Sequence, residues 1–98
     1  MKPVNVISKR AIREFGERHP DSRGALEQWF KVSKAARWSS PIDVRKQYAT
    51  ADAVPPFTVF DICGNKYRLI AEIVFARKMV LVRKILTHAD YDRGAWKK

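Results

Sequence analysis

Lys66, Arg68, Arg83, His88 and Tyr91 gather in the last third of this 98-residue chain, and their types suit one kind of chemistry. A guanidinium can grip a phosphate with two parallel hydrogen bonds, and a lysine offers a compact point charge. Histidine is the side chain whose ordinary pKa lies nearest physiological pH, so its neighbours can set it to give or take a proton. Together they could bind and cleave a phosphodiester. RNA brings its own nucleophile, the 2′-hydroxyl. A protein that cuts it need only remove that proton, offset charge on the phosphorane and protonate the leaving 5′-oxygen. That scheme calls for no metal or other cofactor. An aromatic beside such cations can equally stack on an unpaired base. Each residue also has a plain structural reading: Arg68 can pair with Asp61, and His88 can bond to backbone at a helix start.

These residues need a sheet to hold them. Three β-prone runs, 57–62, 66–74 and 79–86, alternate with period two and predict an antiparallel meander. Gly64-Asn65 is the expected first turn because both residue types tolerate positive φ, and Ala76-Arg77 is the expected centre of the second. Asp61 then lies opposite Arg68, Phe60 opposite Leu69 and Ile70 opposite Arg83. One face carries Phe60, Ile62, Tyr67, Leu69, Ala71, Ile73, Val80, Val82 and Leu86, with Lys84 as its lone charge. The other carries Val59, Asp61, Lys66, Arg68, Ile70, Glu72, Leu81, Arg83 and Ile85, with Arg68 and Arg83 as diagonal neighbours.

The apolar face needs a cover, and the first half of the chain supplies it. Val4, Val6 and Ile7 form a short β-prone run. Ser8 is placed to cap a helix reaching about Arg18, with Ala11, Ile12 and Phe15 on one side, and His19-Pro20 stops it. Asp21 or Ser22 starts a second helix whose Leu26, Trp29, Phe30 and Ser33 form a core-facing stripe. Ser40-Pro41 opens a third, to about Tyr48, with Asp43 near its exposed amides. Residues 49–56, with two adjacent prolines, read as the main connector. Thr87, three residues before Asp90, is placed to cap a terminal helix from which His88 and Tyr91 project on the same side. The expected architecture is a single α+β domain spanning 1–98, N-terminal helices packed on one face of a C-terminal antiparallel sheet. With so short a chain, the three Trp and five Phe should carry much of the stability.

Composition narrows the partners. Twenty Lys+Arg against ten Asp+Glu give a formal charge of +10, distributed over both halves of the chain. Such a surface attracts nucleic acid or an acidic protein. Cys63 is the only cysteine, which excludes an internal disulfide and fits a reducing cytoplasm; beside a turn it reads as a packing residue. No apolar run approaches the ~20 residues of a membrane span, and the N-terminus lacks a signal-peptide h-region. His19 stands far from His88, so no zinc spacing exists. The four glycines form no phosphate loop, and no serine nucleophile elbow is present.

The run 61–70 (DICGNKYRLI), the later Val82-Arg83 and the closing 87–92 (THADYD) resemble the HigB family of toxins from bacterial type II toxin-antitoxin systems. Ser40, Asp43, Val44, Arg45, Tyr48, Ala51 and Asp52 are similar too. Cys63 stands where that family often has glycine. The resemblance implies a RelE-like fold and an mRNA endonuclease acting on mRNA under translation at the ribosome. It also implies neutralisation by a HigA-type helix-turn-helix antitoxin, through which alone operator DNA would be contacted. Arg68, Arg83, His88 and Tyr91 are the expected catalytic set, with Arg68 and Arg83 on phosphate. Asn65, Lys66 and Lys84 are the expected RNA-binding residues. The rival readings are a non-catalytic RNA- or DNA-binding module and a small subunit that docks an acidic protein. Salt-dependent RNA binding without cleavage would mark the first, and a stoichiometric complex without any RNA effect the second.

Overall fold

A computed structural model describes residues 9–94, together with the backbone of residues 5–7. The chain runs β1 (Asn5–Ile7), α1 (Lys9–Arg18), a 3₁₀ turn (Pro20–Ser22), α2 (Arg23–Ala35), α3 (Pro41–Gln47), β2 (Asp52–Val54), β3 (Phe57–Ile62), β4 (Tyr67–Val74), a second 3₁₀ turn (Phe75–Arg77), β5 (Met79–Thr87) and α4 (His88–Asp92). The Ser8 cap, Val4 and Trp96 lie outside the described residues.

The strands form one sheet in the order β1-β5-β4-β3-β2. Its central meander is antiparallel, and β1 joins the far edge parallel to β5, pairing Val6 with Val80. The other edge departs from expectation. Residues 52–54 are not plain connector but a short strand, paired through Val54 with Phe57, and Pro55-Pro56, linked by a cis peptide bond, is the turn between them. An edge is where proline next to a strand is tolerated, because no ladder donor is lost from the sheet interior.

The helices cover one face, as the period of their apolar residues requires. Leu26, Trp29 and Ser33 of α2 and Ile12 and Phe15 of α1 are buried against Phe60, Ile62, Tyr67, Leu69, Ala71, Val80 and Val82. Trp38 stacks on Phe60 at 6.2 Å while Trp29 meets the same ring edge-on at 5.3 Å. One detail of the α2 start differs from expectation. Ser22 occupies the N-cap, but its hydroxyl donates to the His19 carbonyl at 2.7 Å and makes no capping bond. At α3 the Asp43 carboxylate accepts from the amide and hydroxyl of Ser39, at 3.0 and 2.8 Å, and these bonds hold it below the ordinary carboxylate range.

Both turns of the meander fall where the pattern put them, with different backbone. Lys66 N–H donates to Cys63 O across Gly64-Asn65, yet positive φ belongs to Cys63 (57°) and Gly64 (69°), not to Asn65. At the second turn Lys78 N–H donates to Phe75 O across Ala76-Arg77, and Lys78 itself sits at φ 54°. A side chain in the left-handed region costs roughly 1–2 kcal/mol, against roughly 0.5–1 kcal/mol of extra chain entropy for glycine. Lys78→Gly is therefore expected to stabilise the fold by about 0.5–1 kcal/mol, read as a rise of a few degrees in Tm.

Candidate functional site

The register of β4 against β5 decides which side chains reach the uncovered outer face of the sheet. From Val74↔Met79 to Ala71↔Val82 the pairing follows the expected ladder, and then it slips by one, so that Ile70 faces Lys84, Leu69 faces Ile85 and Arg68 faces Leu86. Arg83 is the extra residue of a β-bulge. This corrects the expected Ile70 to Arg83 pairing. It also removes the anomaly of a lysine on the apolar face: past the bulge Lys84 and Leu86 turn outward, and Ile85 turns in against the core. Arg83 pairs with Glu72 on the same outer face, its Nη2 at 2.8 Å and Nε at 3.1 Å from Oε1. Both Arg83 and Lys84 are exposed.

That outer face is not bare. Val59 and Ile70 are buried in a second, smaller cluster with Val54, Phe57, Leu86 and Tyr91, the last brought over by α4. Here α4 begins as the sequence predicts: Thr87 Oγ1 accepts from the Asp90 amide at 3.2 Å, and its first residues fold back over Arg68.

Arg68 is the hub of what lies beneath. Only 9% exposed, it aims its terminal N–H groups at Asn65 O (3.2 Å), Tyr67 O (3.2 Å), the Asn65 side-chain oxygen and His88 Nδ1 (3.1 Å). Its Nε lies 3.2 Å from Asp61 Oδ1, in the cross-strand pair expected. All four terminal donors are taken by the protein. In this state Arg68 is held by protein acceptors rather than open towards a ligand.

A guanidinium can only donate, so His88 Nδ1 accepts and the ring proton sits on Nε2. Nε2 in turn lies 3.1 Å from Asp92 Oδ2. Asp61, Arg68, His88 and Asp92 therefore form a continuous chain of contacts from the sheet to an exposed carboxylate. Tyr91 flanks it with its ring centroid 5.4 Å from the guanidinium. Burial pushes the Tyr91 phenol up, the Asp52 carboxylate adds to the shift and Arg68 opposes it, so the ring carries its proton at physiological pH.

Asn65 and Lys66 have partners within the protein. Asn65 grips Arg68 through both its carbonyl and its side-chain oxygen, so it positions the hub. Lys66 turns away, to an ion pair with Asp21 at the α1 to α2 connection, where the Tyr67 hydroxyl also donates to Asp21 at 2.8 Å. Bonds from Lys66 and then Tyr67 hold Asp21 below its ordinary 3.8, and the same contact raises Lys66. A carboxyl depressed on folding contributes stability above its unfolded pKa that is lost as pH falls through the folded one. Asp21→Asn is expected to flatten the acid limb of a Tm against pH curve below about pH 4, measured by thermal melts.

Family comparison covers the segment that holds this layout. The HigB_toxin family, described as the RelE-like toxic component of a toxin-antitoxin system, matches residues 22–94, a stretch that holds every candidate residue above. This chain belongs to that family. It is 31% identical over 93 residues to the mRNA interferase HigB of Escherichia coli O6:H1, covering 92% of this chain and 90% of the relative. It is 21% identical over 92 residues to the mRNA interferase toxin HigB of Escherichia coli K12 and to the mRNA interferase HigB of Shigella flexneri, covering 91% of this chain and 88% of each. As a HigB-family toxin it is one half of a toxin-antitoxin pair, and its α+β order of helices followed by sheet is the RelE-like one. Asp92 was not among the candidate residues, and the structure adds it through its contact with His88. Its i, i+4 spacing from His88 was the available signal.

Proposed function

We propose that this HigB-family toxin is an endoribonuclease that cuts mRNA during translation on the ribosome, and that the outer face of its sheet receives the RNA. It works in the cytoplasm, is neutralised by a HigA-type helix-turn-helix antitoxin, and meets operator DNA only through that partner. One observation carries the reading. The Asp61–Arg68–His88–Asp92 chain holds an imidazole in a defined tautomer on the face where Arg83 and Lys84 are exposed. The names of the curated relatives support the choice of mRNA.

The chemistry follows from who can accept what. With Asp92 on Nε2–H, the basic lone pair of His88 is on Nδ1, covered in the free protein by Arg68. An incoming phosphate competes for the Arg68 donor, and the 2′-hydroxyl takes its place at Nδ1. The 2′-oxygen then attacks phosphorus, its proton passes to Nδ1, and the Asp92 carboxylate stabilises the imidazolium that results. The P–O5′ bond breaks and the neutral phenol of Tyr91, whose ring lies 5.4 Å from the Arg68 guanidinium, protonates O5′. Arg68, Arg83 and Lys84 offset the phosphorane charge. The products are a 2′,3′-cyclic phosphate and a 5′-hydroxyl. Direct kinase labelling of fragments from a translating extract is expected to succeed without prior phosphatase. Fragments that label only after phosphatase would mean that water, not the 2′-oxygen, is the nucleophile.

A further inference from the structure

We infer that Asp52, at the β2 edge of the outer face, reads a guanine base immediately 3′ of the cut. The inference rests on the endoribonuclease reading and adds a sequence preference to it. Directly opposed residues of a sheet share a face, and one row of the outer face runs Asp52, Val59, Ile70, Lys84 from β2 to β5. Three strand spacings make that row roughly 14 Å long. Between its charged ends, Val59 and Ile70 are buried in contact with Tyr91 and Leu86, and Val54 and Phe57 lie half-buried beside them. The face is therefore divided. Arg68, Arg83 and Lys84 stand on β4 and β5, while β2 and β3 offer an apolar strip that ends in a carboxylate. The other two carboxylates of these strands are each committed to an arginine, Asp61 to Arg68 and Glu72 to Arg83. Asp52 is exposed and makes no ion pair among the described residues. Its charge still reaches the Tyr91 phenol, which it helps to keep protonated.

The chemistry of the cut says which nucleotide lies there. Tyr91 protonates O5′, an atom of the nucleotide on the 3′ side, so a group whose charge is felt at the phenol stands beside that nucleotide. Its phosphate stays with the cations of β4 and β5, and its base lies over the apolar strip. A carboxylate repels phosphate but accepts from two adjacent N–H donors. Of the RNA bases only guanine presents two donors side by side on its Watson–Crick edge, N1–H and N2–H. Adenine and cytosine set a ring lone pair next to the amine, and uracil flanks its single N–H with carbonyls, so each turns an acceptor towards the carboxylate.

The test compares new mRNA 5′ ends after brief induction of the wild-type chain and of Asp52→Asn, counting the first base of each end against its frequency in translated sequence. The wild type is expected to cut before guanine about tenfold more often than before any other base, the discrimination of one two-bonded base contact. Asparagine offers one acceptor and one donor, the complement of adenine or cytosine. The guanine preference is therefore expected to fall about tenfold in the variant, with a larger share of cuts before adenine and cytosine. A ratio among cut sites does not depend on how much of each protein is folded. Cuts by the wild type without guanine preference would overturn the inference and leave the endoribonuclease intact. An unchanged preference in the variant would overturn it too, whether cutting slows or not, and would leave Asp52 to act on Tyr91 or to blunt the sheet edge. A folded wild-type protein that makes no cuts would fail the endoribonuclease reading itself, and this inference with it.

Discussion

His88→Ala is expected to lower mRNA cleavage by about 10²- to 10⁴-fold, the usual contribution of a positioned proton-transfer group, and to abolish growth arrest. Its effect on the fold is small by comparison. The imidazole is about half exposed, and its loss leaves one Arg68 donor without an acceptor, a cost of about 1 kcal/mol. The informative partner is His88→Asn, which can offer an acceptor to Arg68 but cannot carry a proton at neutral pH. If His88 acts in proton transfer, Asn restores melting and not cleavage. If it only holds Arg68 in place, Asn restores both. Cleavage in a translating extract and thermal melts of the three proteins separate these outcomes.

The two arginines are expected to fail in different ways. Arg83 is half exposed and its bond to Glu72 is of the surface kind, worth about 0.2–1 kcal/mol. Arg83→Ala should therefore remove growth inhibition with Tm nearly unchanged. Arg68→Ala strips a buried guanidinium from Asp61, Asn65, Tyr67 O and His88 together, and is expected to cost about 3 kcal/mol, since Asp61 keeps partial access to water. For a domain of this size that is a fall in Tm of roughly 10–20 °C, with cleavage lost as well. Arg68→Lys keeps a charge beside Asp61 but cannot reach the four acceptors that the planar fork serves, so it recovers only part of the stability. A large loss of stability from Arg83→Ala would instead give that residue a structural role.

Much of this arrangement is written locally in the sequence. The stripe of Leu26, Trp29, Phe30 and Ser33, the Ser40-Pro41 start, the Thr87 cap and the Asp61 to Arg68 register depend on spacing and turn chemistry a few residues wide, and the structure has them, with Phe30 only half-buried at the edge of the stripe. What was not legible arises from contacts between distant segments. The pull of Asp21 on Lys66 joins residues 45 positions apart, and no periodicity marks it. The bulge at Arg83 left a trace, because a strict ladder strands Lys84 on the apolar face, and one inserted residue resolves that conflict. The saturation of Arg68 was out of reach, since it needs Asn65, Tyr67 and His88 brought to one point by a turn, a strand and a helix start. The positive φ at Cys63 (57°) is a backbone need that glycine would meet without strain, and it arises from the turn as a whole rather than from the residue.

The central claim is most directly tested by sequencing mRNA 5′ ends after brief induction of the wild-type chain, with one reporter message in two forms, translated and lacking its start codon. New 5′-hydroxyl ends are expected inside the translated form alone, and absent with His88→Ala. Growth arrest with both messages intact would contradict the account, and would leave a basic protein that binds without cutting.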